Sequence, residues 1–205
     1  MKLLCRLYDP IVGQILFEGT DLRDFDPAEY GALLGVVFQD SGRYQLLARE
    51  NIGIGCVTAL HDRERIIGAA VATGADRAIR RLPEGYDAML GTHFSGGCEL
   101  SVGEWQMIGI ARAAMRDGRI LIFDEPTAAL DPATEDGMLS RFREMARGKM
   151  SVVISHRLAT AVEADRIVVL ERGRIVEEGT HAELMDRRET YARLFSLQAS
   201  RYAKA

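Results

Sequence analysis

The residues best equipped for chemistry in this 205-residue chain are two adjacent carboxylates, Asp124 and Glu125, which follow the apolar run Ile120 to Phe123 and precede Pro126. An unalternating apolar run that stops so abruptly reads as a strand buried on both faces, as in a parallel sheet covered by helices. Such a strand delivers its acids to the carboxyl edge of the sheet, where open α/β sheets place their ligands. Two buried carboxylates side by side repel each other, so a cation is expected nearby, and magnesium is the usual one. Taken alone, the dipeptide reads more simply as a strand that ends in a solvated acidic turn, so the rest of the chain has to decide.

The elements around this stretch supply more polar residues at strand ends. Val36 to Phe38 is a short apolar run closed by Gln39 and Asp40, and Ser151 to Ser155 is expected to be a second buried strand that reaches His156. Gly13 to Phe17 reads as a strand with a turn at Glu18 and Gly19, and Asp26 followed by Pro27 starts a helix over Pro27 to Leu34. Met1 to Tyr8 places Leu3, Leu4 and Leu7 at helical spacing with no cap, so it is expected to be the tail of a helix. Between Arg49 and Ala113 helical patterns dominate, at Arg63 to Ala72 and Ala75 to Leu82. That interval closes on Ser101 with Glu104 three residues later, a capping box for the helix Trp105 to Met115. A helix over Pro132 to Ala146, a hairpin around Gly173, and helical segments at Ala182 to Met185 and Thr190 to Tyr202 complete the order. Strands alternating with helices describe an α/β chain with a nucleotide-type site on a mostly parallel sheet. Its core comprises about 1–48 and 114–205, and a helical subdomain occupies about 49–113.

Composition narrows the class. The chain is 47% hydrophobic and 27% charged with a net charge of -4, which fits an ordinary globular protein and gives no electrostatic footprint for nucleic acid. Cys5, Cys56 and Cys98 are odd in number and lack metal-ligand spacing, so they read as reduced thiols. No apolar run approaches the ~18 residues of a membrane span. Service at a membrane would therefore run through a partner or through further chain.

The motifs in order resemble the ATP-binding domain of an ABC transporter of the exporter type. ILIFDEPTAALD is similar to that family's Walker B strand and D-loop, ELSVGEWQMIGIARA to its signature segment, VVFQD to its Q-loop and VVISHRL to its switch-histidine loop. RLYDP, RLPEGYDAMLG, ADRIVVLERGRIVEEGTHAEL and YARLFSLQA are similar to spacers of the same family, so the resemblance runs almost from end to end. It implies a P-loop-NTPase-like sheet with a helical subdomain, ATP and Mg2+ as cofactors, and a location on the cytoplasmic face of a membrane. Its partners would be transmembrane domains and a second ATP-binding domain in a homo- or heterodimer.

By that resemblance Asp124 would hold magnesium through a water, and Glu125 would polarise the water that attacks the γ-phosphate. Gln39 would touch the metal and the attacking water, and His156 would contact the γ-phosphate. Ser101, Gly103 and Glu104 would bind ATP held by the opposite subunit, where free amides and the helix dipole favour an anion. Asp131 would lie in the loop that crosses to that subunit.

Two departures bear on activity. Val102 stands where the family has a glycine, and a β-branched residue resists positive φ and close approach to phosphate. No match to G-x-x-x-x-G-K-[ST] occurs; Gly148-Lys149 has Arg143 and Met150 at the flanking motif positions. By the resemblance the phosphate loop would lie before Met1, leaving the sheet without its first strands. The expectation is weak or undetectable ATP binding and no hydrolysis by the chain alone. The alternative is a non-catalytic module that lends Ser101 and Gly103 to an intact ATP-binding domain. A DNA-repair ATPase ranks low, since the interval from Arg49 to Ala113 is too short for a coiled-coil insertion.

Overall fold

The computed structural model describes residues 1–40, 42–126 and 132–202. Leu16–Phe17 (β1) and Thr20–Asp21 (β2) pair antiparallel about Glu18 and Gly19, whose φ values of 50° and 84° make the reversal. Asp26 accepts from the backbone N–H groups of Ala28 and Glu29 and caps α1, Pro27–Ala32. Pro27 follows the cap, where a missing N–H costs no intrahelical bond. Leu34–Val37 forms β3.

A helical region follows. Ala48–Gly53 (α2), Arg63–Thr73 (α3), Ala75–Ile79 (α4) and Val102–Ala114 (α5) bury Ile52, Ile66, Ile79, Leu90, Trp105 and Ile108 in one apolar cluster. Gly74 ends α3 at φ 87° and opens α4, a left-handed cap that a residue with Cβ adopts at a cost.

Ile120–Asp124 (β4) then lies between β3 and Met150–Ile154 (β5) in a parallel sheet ordered β3-β4-β5. Pro132–Ala146 (α6) crosses between β4 and β5 and stacks Phe142 on Phe123 at 4.6 Å between ring centroids. Phe123 is fully buried with Val37, Ile110 and Leu121. A Cβ added to Gly35 would meet Leu121 Cδ2 at 2.8 Å and the Ala113 carbonyl at 3.2 Å, so a bare backbone lets α5 close onto β3 and β4. Met1 to Ile154 forms one compact unit.

The second unit, Ser155–Ala205, has its own core. Ile167–Glu171 (β6) and Arg174–Gly179 (β7) form a hairpin about Arg172 and Gly173. His181–Arg187 (α7), with a Thr180–Glu183 capping box, and Thr190–Tyr202 (α8) follow. Ile167, Leu184 and Tyr191 make the cluster. The buried carboxylate of Glu177 accepts from the N–H groups of Thr190 and Tyr191, which caps α8.

Met1 to Tyr8 closes as the end of a helix does: Cys5 N–H donates to the Met1 carbonyl, Arg6 N–H to that of Leu3 and Leu7 N–H to that of Lys2, each at 3.0 Å, with Arg6 left-handed at φ 51°. Leu4 and Cys5 pack against the cluster of Leu22, Tyr30, Leu34, Ile120 and Ile122. One sequence expectation is corrected: β5 is not buried on both faces. It pairs with β4 along one edge, no strand among the described residues pairs with the other, and Met150, Val153 and Ile154 are 59%, 41% and 37% exposed.

Candidate functional site

The register of the sheet places the acids. Val37 lies opposite Phe123, and Asp124 lies opposite Ile154. Gln39, two residues beyond the end of β3, and Asp124 with Glu125, at the end of β4, therefore leave the same carboxyl edge on neighbouring parallel strands. Gln39 is exposed and the two acids are half-buried.

Glu125 departs from strand geometry. Its φ is 49°, left-handed for a residue with a side chain. That conformation is uncommon for any such residue, and the helical region is further disfavoured before proline. Two hydrogen bonds hold the turn: Glu125 N–H donates to the Ile154 carbonyl at 2.8 Å, and the Glu125 carbonyl accepts from Gln106 Nε2 at 3.4 Å.

Helix α5 bonds to the Glu125 backbone through Gln106 and to the segment after Gln39 through Arg112. At its start Ser101 Oγ accepts from Glu104 N–H at 3.3 Å, and Glu104 Oε2 accepts from Ser101 N–H and the Ser101 hydroxyl, each at 2.9 Å. Arg81 pairs with the other oxygen of Glu104. Near its end Arg112 donates to the Asn51 carbonyl at 2.9 Å and the Gly42 carbonyl at 3.1 Å, and lies 4.6 Å from the centre of the Tyr44 ring. Burial lowers the Arg112 pKa from its ordinary value, though a guanidinium stays charged. These bonds tie the loop after Gln39 to the helix.

The capping box stands where the spacing of Ser101 and Glu104 puts it. Ser101 and Val102 are exposed, and Gly103 and Glu104 are half-buried. Val102 is the first residue of the helix and does not carry a positive φ, so the strain expected of a β-branched residue there does not arise. What Val102 adds is an exposed isopropyl group beside the cap.

His156 belongs to the second unit, and its carbonyl accepts from Gln198 Nε2. Beside it Ser155 Oγ accepts from Arg157 N–H at 2.9 Å. Asp131 lies outside the described residues. Sequence reasoning passed over Gln106 and Arg112; the available signal was a polar and a charged residue on a helix whose other residues are almost all apolar.

Among the described residues no group of three or more His, Cys, Asp or Glu could hold a metal by itself. The oxygen donors of Asp124 and Gln39 fit magnesium, which needs few protein ligands because it keeps waters and takes substrate phosphates. Among the described residues no helix is long and apolar enough to cross a membrane.

A family model described as ABC transporter matches residues 1–128. The chain is 41% identical over 199 residues to the ABC transporter ATM1 of Toxoplasma gondii, covering 97% of this chain and 17% of that protein. It is 40% identical over 198 residues to the putative multidrug export ATP-binding/permease protein YgaD of Bacillus subtilis, covering 97% of this chain and 33% of that one. A solved bacterial Atm1-family ABC exporter with ATP bound superposes with a TM-score of 0.88 at 39% identity, over 97% of this chain and 34% of that chain. The chain thus spans between 17% and 34% of these relatives, and the superposition assigns it a P-loop-NTPase-like α/β fold.

Proposed function

This chain belongs to the ABC transporter family, and from that premise we propose that it is the ATP-hydrolysing portion of an exporter, coupling ATP hydrolysis to transport across a membrane. The observation that carries the reading is the shared carboxyl edge: Gln39 beyond β3, and Asp124 and Glu125 at the end of β4, with the capped helix α5 bonded to Glu125. The chain would work as an α/β core, about 1–48 and 114–205, carrying a helical subdomain, about 49–113. It would act on the cytoplasmic face with transmembrane domains and a second ATP-binding domain as partners. ATP-bound magnesium would supply charge neutralisation for the transferred phosphoryl group. Asp124 and Gln39 would hold it, and Glu125 would orient the attacking water, since phosphoryl transfer needs positioning and electrostatics more than covalent chemistry. His156 would donate to the γ-phosphate. Ser101, Gly103 and Glu104 would serve the ATP of the opposite subunit, and Asp131 would cross toward it.

Because the sequence holds no G-x-x-x-x-G-K-[ST] cradle, the chain alone binds ATP weakly and does not turn it over. Fused behind a phosphate-loop segment it gains turnover, and Glu125→Gln then abolishes hydrolysis while ATP binding persists. Unchanged turnover in that variant removes Glu125 from the role.

A second reading, a module that lends its signature to an intact ATP-binding domain, is favoured by the exposed start of α5 at Ser101 and Val102. Mixed with such a domain, the chain raises the partner's rate and Ser101→Ala removes the increase. A rate indifferent to Ser101 excludes this reading.

A further inference from the structure

We infer that Gln106 is a positioning residue for Glu125, linking the helix that begins at the Ser101–Glu104 cap to the backbone that aims the Glu125 carboxylate. The inference rests on the reading of Glu125 given above and adds to it the group that sets its geometry.

Four polar side chains are buried among the described residues: Asn51, Thr73, Gln106 and Glu177. Three of them answer to their surroundings. Asn51 donates to the Tyr44 and Leu46 carbonyls and accepts from Arg112, Thr73 donates to the Ala69 carbonyl, and Glu177 caps α8. Gln106 differs. It is 9% exposed, its Oε1 has no hydrogen-bond partner, and its amide donates at 3.4 Å to the Glu125 carbonyl. A buried acceptor without a partner destabilises a fold, and an apolar side chain of the same length would relieve it. Stability therefore does not explain a glutamine here, whereas its one bond does.

That bond lands on the residue that needs holding. Glu125 takes φ 49° immediately before Pro126, and strained backbone of this kind persists only where its surroundings enforce it. Its N–H is tied to Ile154 of β5 and its carbonyl to Gln106 of α5, so the peptide groups on either side of the Glu125 α-carbon are fixed from opposite directions. Releasing the carbonyl frees the residue to relax toward extended geometry, which turns the side chain to another direction and weakens the bond to Ile154. Gln106 lies five residues after Ser101, about one and a half helical turns. A shift of the helix start is carried along a rigid element to the Glu125 backbone.

Gln106→Met removes the donor while keeping length and apolar fit. In the full chain we expect an unchanged or higher melting temperature, together with amide hydrogen exchange at Glu125 at least threefold faster and unchanged rates at Leu121, Ile122 and Phe123. Gln106→Leu gives the same pattern. Unaltered exchange at Glu125 overturns the inference. So does a chain that melts lower, fails to fold, or exchanges faster along the whole of β4, because the amide then serves the core. This readout needs no ATP turnover. Loss of the water-orienting role is reported separately by Glu125→Gln in the phosphate-loop fusion, so the two ideas fail on different measurements.

Discussion

At the scale of single residues, context rather than type sets behaviour. Asp124 and Glu125 are neighbours in the chain, yet Asp124 ends a strand and Glu125 turns out of it at positive φ. The cysteines make the same point in their titration. Burial pushes the Cys5 thiol up against the opposing charge of the amino terminus, whereas a hydrogen bond with the Thr58 hydroxyl draws Cys56 down. The thiolate is the nucleophile, so a group with a lowered pKa holds more of it at any pH below its ordinary value. Iodoacetamide at about pH 8 should thus label Cys56 before Cys5, as peptide mass analysis over a time course would show. Equal rates would mean that the local bond does not outweigh burial. Asp124 and Glu125 were legible as a pair because the apolar run before them is; the strain at Glu125 was not, since a left-handed turn before proline has no sequence signature beyond the proline itself.

Among the three strands of the parallel sheet, β4 is the best buried and β5 the least. Phe123→Ala removes a ring that is fully buried and stacked on Phe142, which should cost about 3–5 kcal/mol and lower the melting temperature by on the order of 10 °C. On β5 the same apolar character faces solvent at Met150, Val153 and Ile154. Exposed strand edges template association, and a lysine on them opposes it. Val153→Lys should accordingly reduce concentration-dependent light scattering of the purified chain, with its melting temperature changed little. If scattering is unaltered, self-association does not proceed through this edge. The helices were readable from periodicity, caps and glycines, and α6 falls on the expected Pro132–Ala146. Met1 to Tyr8 was legible as a helix tail from its leucine spacing, but its stop was not, because Arg6 rather than a glycine takes the left-handed closing position at φ 51°.

For the whole molecule, the absence of a phosphate cradle from the sequence has a thermodynamic consequence. A ligand that binds only the native state raises stability by RT ln(1 + [L]/Kd), so 1 mM ATP with a Kd of 1 mM or weaker adds no more than about 0.4 kcal/mol. Millimolar MgATP should leave the melting temperature of the chain almost unmoved, and a clear upward shift would reveal a cradle built from other residues. The amino-acid order by itself determined the alternation of strands and helices, the cap at Ser101, the acids at the end of an apolar run, and the family resemblance, because propensity, periodicity and motif spacing are local properties. Only the tertiary structure decided that Gln39 shares an edge with Asp124, that β5 lies open, and that Gln106 reaches Glu125. Register, burial and long-range hydrogen bonds depend on which elements pack together, and no spacing along a single chain specifies that.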